Sequence, residues 1–247
     1  MDGPATALVT GAGKRVGRAI AEALIVDGWT VIAHVHHADD PVPDGAVKVV
    51  ADLAHSDCAG LILAAADGRP PLRLLVNNAA RFAHDGFGEF SAAEFDAHMA
   101  VNVRAAAQLS EAFAKGHRAG EDALVVNLLD AKLAAPNPDF LSYTLSKQAL
   151  AGLTELSARA YAGRGIRVNA IAPALMLRSA GQSDANFAAM HRRNPLGRGV
   201  TPDDVVAAIR YFILAGAVTG QTLVIDGGQH FMAIDRDVQF LPVETNE

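Results

Sequence analysis

At 247 residues and 25.8 kDa the chain has enough length for one large domain with its own core. Hydrophobic residues make up 51% and charged residues 19%, so apolar burial can offset chain entropy and wholesale disorder is excluded. A formal net charge of −6 and a pI near 5.8 provide no positive field to gather nucleic acid or anionic lipid, which argues against both as partners.

The single cysteine, Cys58, can form neither an internal disulfide nor a thiolate metal cluster. That fits a reducing compartment, and the cytoplasm is the expected location. The start MDGPATALVTGAG lacks a basic stretch followed by a long apolar one, and no window approaches the ~18 apolar residues that span a bilayer. A soluble chain is expected.

In chain order, residues 6–10 form a short β-branched run that turns at Gly11-Ala12-Gly13-Lys14-Arg15-Val16-Gly17 into a helical stretch opening Arg18-Ala19-Ile20. Val16, Ile20, Ala23 and Leu24 recur there at helical spacing. Further strand-like runs span 30–35, 47–51, 72–76, 123–129, 167–172 and 222–226. Helical patterns lie between most of them, one carrying Leu145, Ala149, Leu150, Leu153 and Leu156. Near-continuous apolar strands alternating with helices require a parallel sheet covered on both faces, so the predicted class is doubly wound α/β.

The stretch 36–46 holds two prolines and is too short for a full helix, so a loop or single turn is expected. Thr201-Pro202-Asp203-Asp204 predicts a helix start, with Thr201 as cap and two acids facing the dipole. With no repeat, low-complexity run or linker, residues 1–247 read as one domain with a short extension at 229–247.

A strand that turns sharply into a helix presents free backbone N–H groups and a positive helix end, and glycines let a pyrophosphate approach. The glycine turn therefore reads as a dinucleotide phosphate cradle. A tight turn without a ligand is the plainer alternative. Cofactor choice falls at the end of the second strand, where an acid binds the ribose hydroxyls of NAD and a basic group favours the 2′-phosphate of NADP. Here stand His34-Val35-His36-His37, with Asp39 and Asp40 only later, in the proline loop. Together with Lys14 and Arg15 they favour NADP(H) over NAD(H). Solvated strand-end residues are the alternative for the three histidines. No metal site is expected, because strand alternation points His34 and His36 one way and His37 the other. Asp52-Leu53 and Asn77-Asn78-Ala79 follow the third and fourth strands, at the carboxyl ends where open α/β sheets bind ligands, and extend the trough.

Tyr143 and Lys147 stand four apart on a predicted helix, so phenol and ammonium share a face. A nearby cation favours phenolate and lowers the phenol from its reference value of ~10, so Tyr143 can deliver a proton as hydride arrives at carbon. An incidental Tyr–Lys pair on an exposed helix is the alternative for this spacing taken alone.

Thr10-Gly11 through Gly17, Asn77-Asn78-Ala79, Asn102, Tyr143, Lys147, Pro173 and Asp226-Gly227-Gly228 stand in the order found in the short-chain dehydrogenase/reductase family, which the chain resembles from Thr6 to about Gly228. The resemblance implies a single-domain Rossmann fold with a seven-stranded parallel sheet. It implies cofactor contacts from Gly11, Lys14, Arg15, Val16, His36, His37, Asp52, Leu53, Asn78, Ala79, Ala80, Tyr143, Lys147 and Pro173. It further implies that Lys147 bonds the nicotinamide ribose, that Asn102 holds a water linking Lys147 to solvent, and that the protein is a homotetramer. Alanine-rich helices at 92–114 and around Tyr143 would form its interfaces.

Asp130 stands thirteen residues before Tyr143, where most family members carry serine. An ionised carboxylate cannot donate a hydrogen bond to a substrate carbonyl, but it can bind ring N–H groups or relay a proton to a ring nitrogen. Asp130, with Arg15 at the middle glycine of the turn, resembles the pteridine reductase branch, including dihydropteridine and dihydromonapterin reductases. Phe82 matches that branch's phenylalanine, which stacks a flat pterin against nicotinamide. Ala80, Ala174 and His37-Ala38 depart from the branch, which carries serine, glycine and Arg-Ser there.

The expected activity is hydride transfer from NADPH to a pterin-like small molecule, with Asp130, Tyr143, Lys147 and Asn102 catalytic and Arg15, Phe82, Asp130 and Tyr143 binding substrate. The alternatives are a carbonyl reductase or alcohol dehydrogenase, and a nucleotide-sensing protein without turnover. Phe231, Phe240 and Leu241 make the tail too apolar for a purely solvated end, and it is expected to pack across a neighbouring subunit near the substrate mouth.

Overall fold

On the first strand Ala7 and Val9 face one side and Leu8 the other, and all three are fully buried, so this strand needs cover on both faces. The computed structural model describes residues 3–242 apart from residues 119, 180 and 233. The described residues form seven strands: β1 (Thr6–Val9), β2 (Thr30–Val35), β3 (Val47–Val50), β4 (Leu72–Asn77), β5 (Ala123–Leu128), β6 (Ile166–Pro173) and β7 (Thr222–Ile225). They lie in the order β3-β2-β1-β4-β5-β6-β7, and all neighbours are parallel. This is the doubly wound sheet expected from the alternation.

The register aligns apolar rows across the sheet. Ile32, Leu8, Leu75, Val125 and Val168 are successive partners on one face, every one buried. Each such side chain contributes roughly 1.5–3 kcal/mol by leaving water. Ile62 of α2 (Cys58–Ala64) and Leu109 and Phe113 of α4 (Ala105–Gly116) cover this row. On the opposite face, α1 (Arg15–Val26) and α7 (Pro202–Leu214) pack Ile20, Leu24, Ile209 and Phe212 against Ala7, Val9 and Val76. As expected, α7 starts at Thr201, whose amide and hydroxyl donate to the Asp204 carboxylate at 2.8 and 2.9 Å. Residues 36–46 form turns and bends without a helix.

Between α3 (Ala92–Met99) and α4 the backbone passes through a π-helical stretch, Ala100–Arg104, a local widening often found at functional sites. The long helix α5 (Leu141–Tyr161) buries Leu150 of its apolar pattern together with a set of polar residues. Its buried residues include Ser142, Tyr143, Ser146, Lys147 and Thr154, whereas Leu145 and Leu156 are exposed. The polar face packs inward because it carries the site and because those polar groups find partners there.

The tail, expected to pack across a neighbouring subunit near the substrate mouth, makes contacts within its own chain: after α6 (Asp184–His191), α7 and β7, residues 234–242 fold back over it. The Asp139 carboxylate and Asn186 amide hold its backbone. The last part of that expectation, residues 243–247, lies outside the described residues. Among the described residues no helix is long and apolar enough to cross a membrane.

Candidate active site

At the carboxyl end of β1, Thr10 joins two loops. Its amide donates to the Val76 carbonyl at 3.0 Å, and its Oγ1 accepts from the amides of Asn78 and Ala79 at 2.9 and 3.0 Å. Asn78 Nδ2 returns a bond to the Thr10 carbonyl at 2.8 Å. Gly11 takes a φ of +65°, and a Cβ on Gly17 would strike the Gly11 carbonyl and Asn78 Nδ2. Arg15 is also left-handed, with φ of +54°, at a cost of about 1–2 kcal/mol for a residue with a Cβ. The first bond within α1 runs from Arg18 N to the Lys14 carbonyl at 3.2 Å. The amides of Arg15, Val16 and Gly17 therefore stay outside the helix ladder, at its positive end.

His34 corrects the solvated reading of the strand-end histidines. It is buried, and its Nδ1 accepts from the Gly11 amide at 3.3 Å, which leaves the proton on Nε2 for the Ala51 carbonyl at 3.0 Å. Burial holds it below the ordinary imidazole pKa, in the neutral form this bracing needs. His36 and His37 are exposed, with ring centroids 4.0 Å apart, and His36 lies 3.7 Å from Asp52.

Every residue assigned to the cofactor lines one trough of about 530 Å³, running from His36 and His37 past Lys14 and Arg15 to Tyr143 and Lys147. A smaller chamber, lined by Phe82, Asp130, Asp226, His230 and Asp237 among others, shares Tyr143 with the trough. The phenol thus stands where the two meet. Of the residues assigned to substrate, Phe82, Asp130 and Tyr143 line the chamber and Arg15 does not. The Arg15 guanidinium instead donates to the carbonyls of Leu177 and Arg178 at 3.3 and 3.0 Å, which ties the glycine turn to the loop after β6. Phe82 stacks on Phe140 at 4.5 Å and meets the Tyr143 ring edge-on at 4.8 Å, and it remains exposed.

The electrostatics differ from the expectation of a phenol acidified by lysine. Lys147 Nζ donates to the Leu128 carbonyl at 2.6 Å, and burial lowers its pKa to about 8. The Tyr143 hydroxyl donates to Asp130 Oδ2 at 2.9 Å. Burial and the Asp130 carboxylate together push the phenol well above its ordinary value. Burial also raises the Asp130 carboxyl, against the opposing bonds from the Lys132 amide and the phenol. The phenol therefore stays protonated in this arrangement and is a weaker acid than an ordinary tyrosine.

Asn102 lies in the π-helical stretch, apart from both cavities. Its Oδ1 accepts from the Arg81 amide at 2.7 Å, and its Nδ2 donates to the Arg81 carbonyl and to Ser146 Oγ at 3.0 and 2.9 Å. The side chain clamps the Phe82 loop to α5. One contributor went unread in the sequence. Asp85, buried, accepts from the Ser142 amide at 2.9 Å and from the Ser142 hydroxyl, capping the helix that carries Tyr143. It lies 57 residues before Ser142, and no local signal connects them.

Comparison with known proteins agrees with this architecture. The family model described as enoyl-(acyl carrier protein) reductase matches residues 11–230, and the chain belongs to this family of short-chain dehydrogenases/reductases. L-xylulose reductase of Bos taurus is 35% identical over 234 residues, covering 90% of this chain and 95% of the relative. Among solved structures, FolM alternative dihydrofolate reductase 1 from Brucella suis in complex with NADP has a TM-score of 0.85 and 38% identity, covering 93% of this chain and 95% of that one. The Brucella canis protein of the same description, also complexed with NADP, has a TM-score of 0.83 and 37% identity, covering 93% of this chain and 94% of that one.

Proposed function

We propose that this oxidoreductase uses NADPH to reduce a pterin-like heteroaromatic substrate. The fit to the dinucleotide rests on the glycine turn that has no room for a Cβ at Gly17, the free amides at the start of α1 and the trough leading from them. Lys14, His36 and His37 would meet the 2′-phosphate, and Lys147 and Tyr143 the nicotinamide ribose. The NADP-bound Brucella structures support this choice of cofactor.

Bound NADPH supplies the hydride, which goes to the carbon of a ring C=N bond. The chain supplies the proton for the nitrogen. Tyr143 gives up its hydroxyl proton to that nitrogen and is reprotonated from water after turnover, and the Asp130 carboxylate, which accepts the hydroxyl at 2.9 Å, holds the phenol in place between turnovers. Phe82 offers a flat apolar wall for the ring. The single observation that carries this reading is the Tyr143–Asp130 pair on the wall of a chamber that Phe82 also lines.

The L-xylulose reductase relatives favour a second reading, reduction of a small carbonyl compound. NADPH oxidation measured with dihydropterin, with dihydrofolate and with carbonyl compounds including L-xylulose separates the two. Pterin reduction is expected to be the faster. Ketone turnover with inert pterins would establish the carbonyl reading instead, and binding without turnover of either class would leave a nucleotide sensor. The exposed Leu145 and Leu156 on α5 support self-association, and the homotetramer expected from the resemblance would appear in light scattering.

A further inference from the structure

The tail carries charge into the chamber. Arg236 and Asp237 both line its wall. Arg236 Nε donates to the Asp139 carboxylate at 2.8 Å, and the Asp237 amide donates to the same carboxylate at 2.7 Å. Phe240 stacks on Phe140 at 5.7 Å, which extends the Phe82–Phe140 pair. Residues 234–242 thus form a strap fastened to the loop that leads into α5.

Asp237 then meets Lys132, in the short turn Ala131–Ala134 after β5. The two charges lie 3.6 Å apart, and the Lys132 side chain is only 8% exposed. A buried ammonium needs a matching charge, and the strap provides it. The Lys132 amide also holds Asp130 Oδ1 at 2.9 Å, opposite the oxygen that accepts the phenol. One residue therefore links the strap to the proton pair.

We infer that Lys132 and Asp237 are positioning residues for proton transfer: the docked strap sets the charge beside Asp130 and Tyr143 and thereby how readily that pair releases its proton. This rests on the proton-handling role proposed above. Other charged or titratable groups face the pair from each neighbouring element. They are Lys147 from α5, Asp139 and Arg236 around the strap, Asp226 and His230 after β7, and His98 of α3, whose ring lies 6.4 Å from that of Tyr143. Asp237 raises both the Asp130 carboxyl and the Tyr143 phenol. Burial lowers the Lys132 ammonium below its ordinary value, against Asp237 and Asp130, which favour its charged form; because charge coupling is mutual, Lys132 opposes Asp237 at Asp130.

The two residues therefore predict shifts of opposite sign. Asp237→Asn removes a negative charge and should move the alkaline limb of the kcat/KM profile down by about one pH unit. Lys132→Met removes a positive charge and should move it up by about the same amount. Should Lys132→Met fail to fold, Lys132→Gln carries the same sign. A strap that only covers the chamber would move both variants alike or neither, and either result overturns the inference. Profiles are taken on whichever class, pterin or carbonyl, the parent reduces, so failure of the pterin reading appears in the parent and failure of this inference only in the variants. Infrared titration of the Asp130 carboxyl, assigned by its loss in Asp130→Asn, reads the same shifts without turnover. Midpoints unmoved by either variant overturn the inference there too.

Discussion

Replacing Asp130 by serine restores the residue most of the family carries and separates the two substrate classes by their hydrogen-bond demands. Asp130 holds two partners, the Lys132 amide and the Tyr143 phenol, each at 2.9 Å. The shorter serine side chain has one oxygen and cannot hold both. The change removes at least one bond to an ionisable group in a buried site, a loss of about 1.5–3 kcal/mol. If that loss is felt fully in the transition state, kcat/KM for a dihydropterin falls by about 10- to 150-fold, at ~1.4 kcal/mol per decade. A carbonyl substrate gains instead, because a serine hydroxyl donates to the carbonyl oxygen where a carboxylate cannot. Steady-state NADPH oxidation with both substrate classes gives the ratio, with NADPH affinity by calorimetry as the control. An equal fall on both classes would refute the assignment of Asp130 to substrate choice.

Tyr143→Phe should lower kcat by about 10²–10⁴-fold while leaving NADPH affinity nearly unchanged, and an unaltered kcat removes the phenol as proton donor. Asp85→Ala strips the Ser142 amide and hydroxyl of a buried acceptor. Denaturant unfolding should show a loss of about 2–4 kcal/mol, and unchanged stability would mean that α5 does not need this cap. Lys147 has its pKa lowered by burial from 10.5 to about 8, so between those values the unfolded chain binds more protons than the folded one. Stability should accordingly rise with pH across that window and stay level in Lys147→Met; a parallel pH dependence in the two proteins would contradict the burial of a charged lysine.

The glycine turn and the Tyr143–Lys147 spacing were legible because both are local. One is a backbone conformation written into consecutive residues and the other a helical period. The strand runs were legible for the same reason, since continuous apolar stretches of that length have few other solutions. His34 was misread because its burial depends on Gly11, 23 residues away, and on Ala51. The partners of the buried α5 serines were not legible, because they lie on other elements. Ser146 meets Asn102, and Ser142 meets Asp85.

From the order of residues alone came the alternation of strands and helices, the glycine turn and the Tyr143–Lys147 spacing, all of which follow from short-range geometry, while Asp130 was singled out by the family resemblance. How those groups hold their protons was settled only by the folded chain. Proton affinity depends on the loss of water and on charges close in space. The Leu128 carbonyl that draws Lys147 and the strap that carries Asp237 to the chamber wall are close only once the chain has folded.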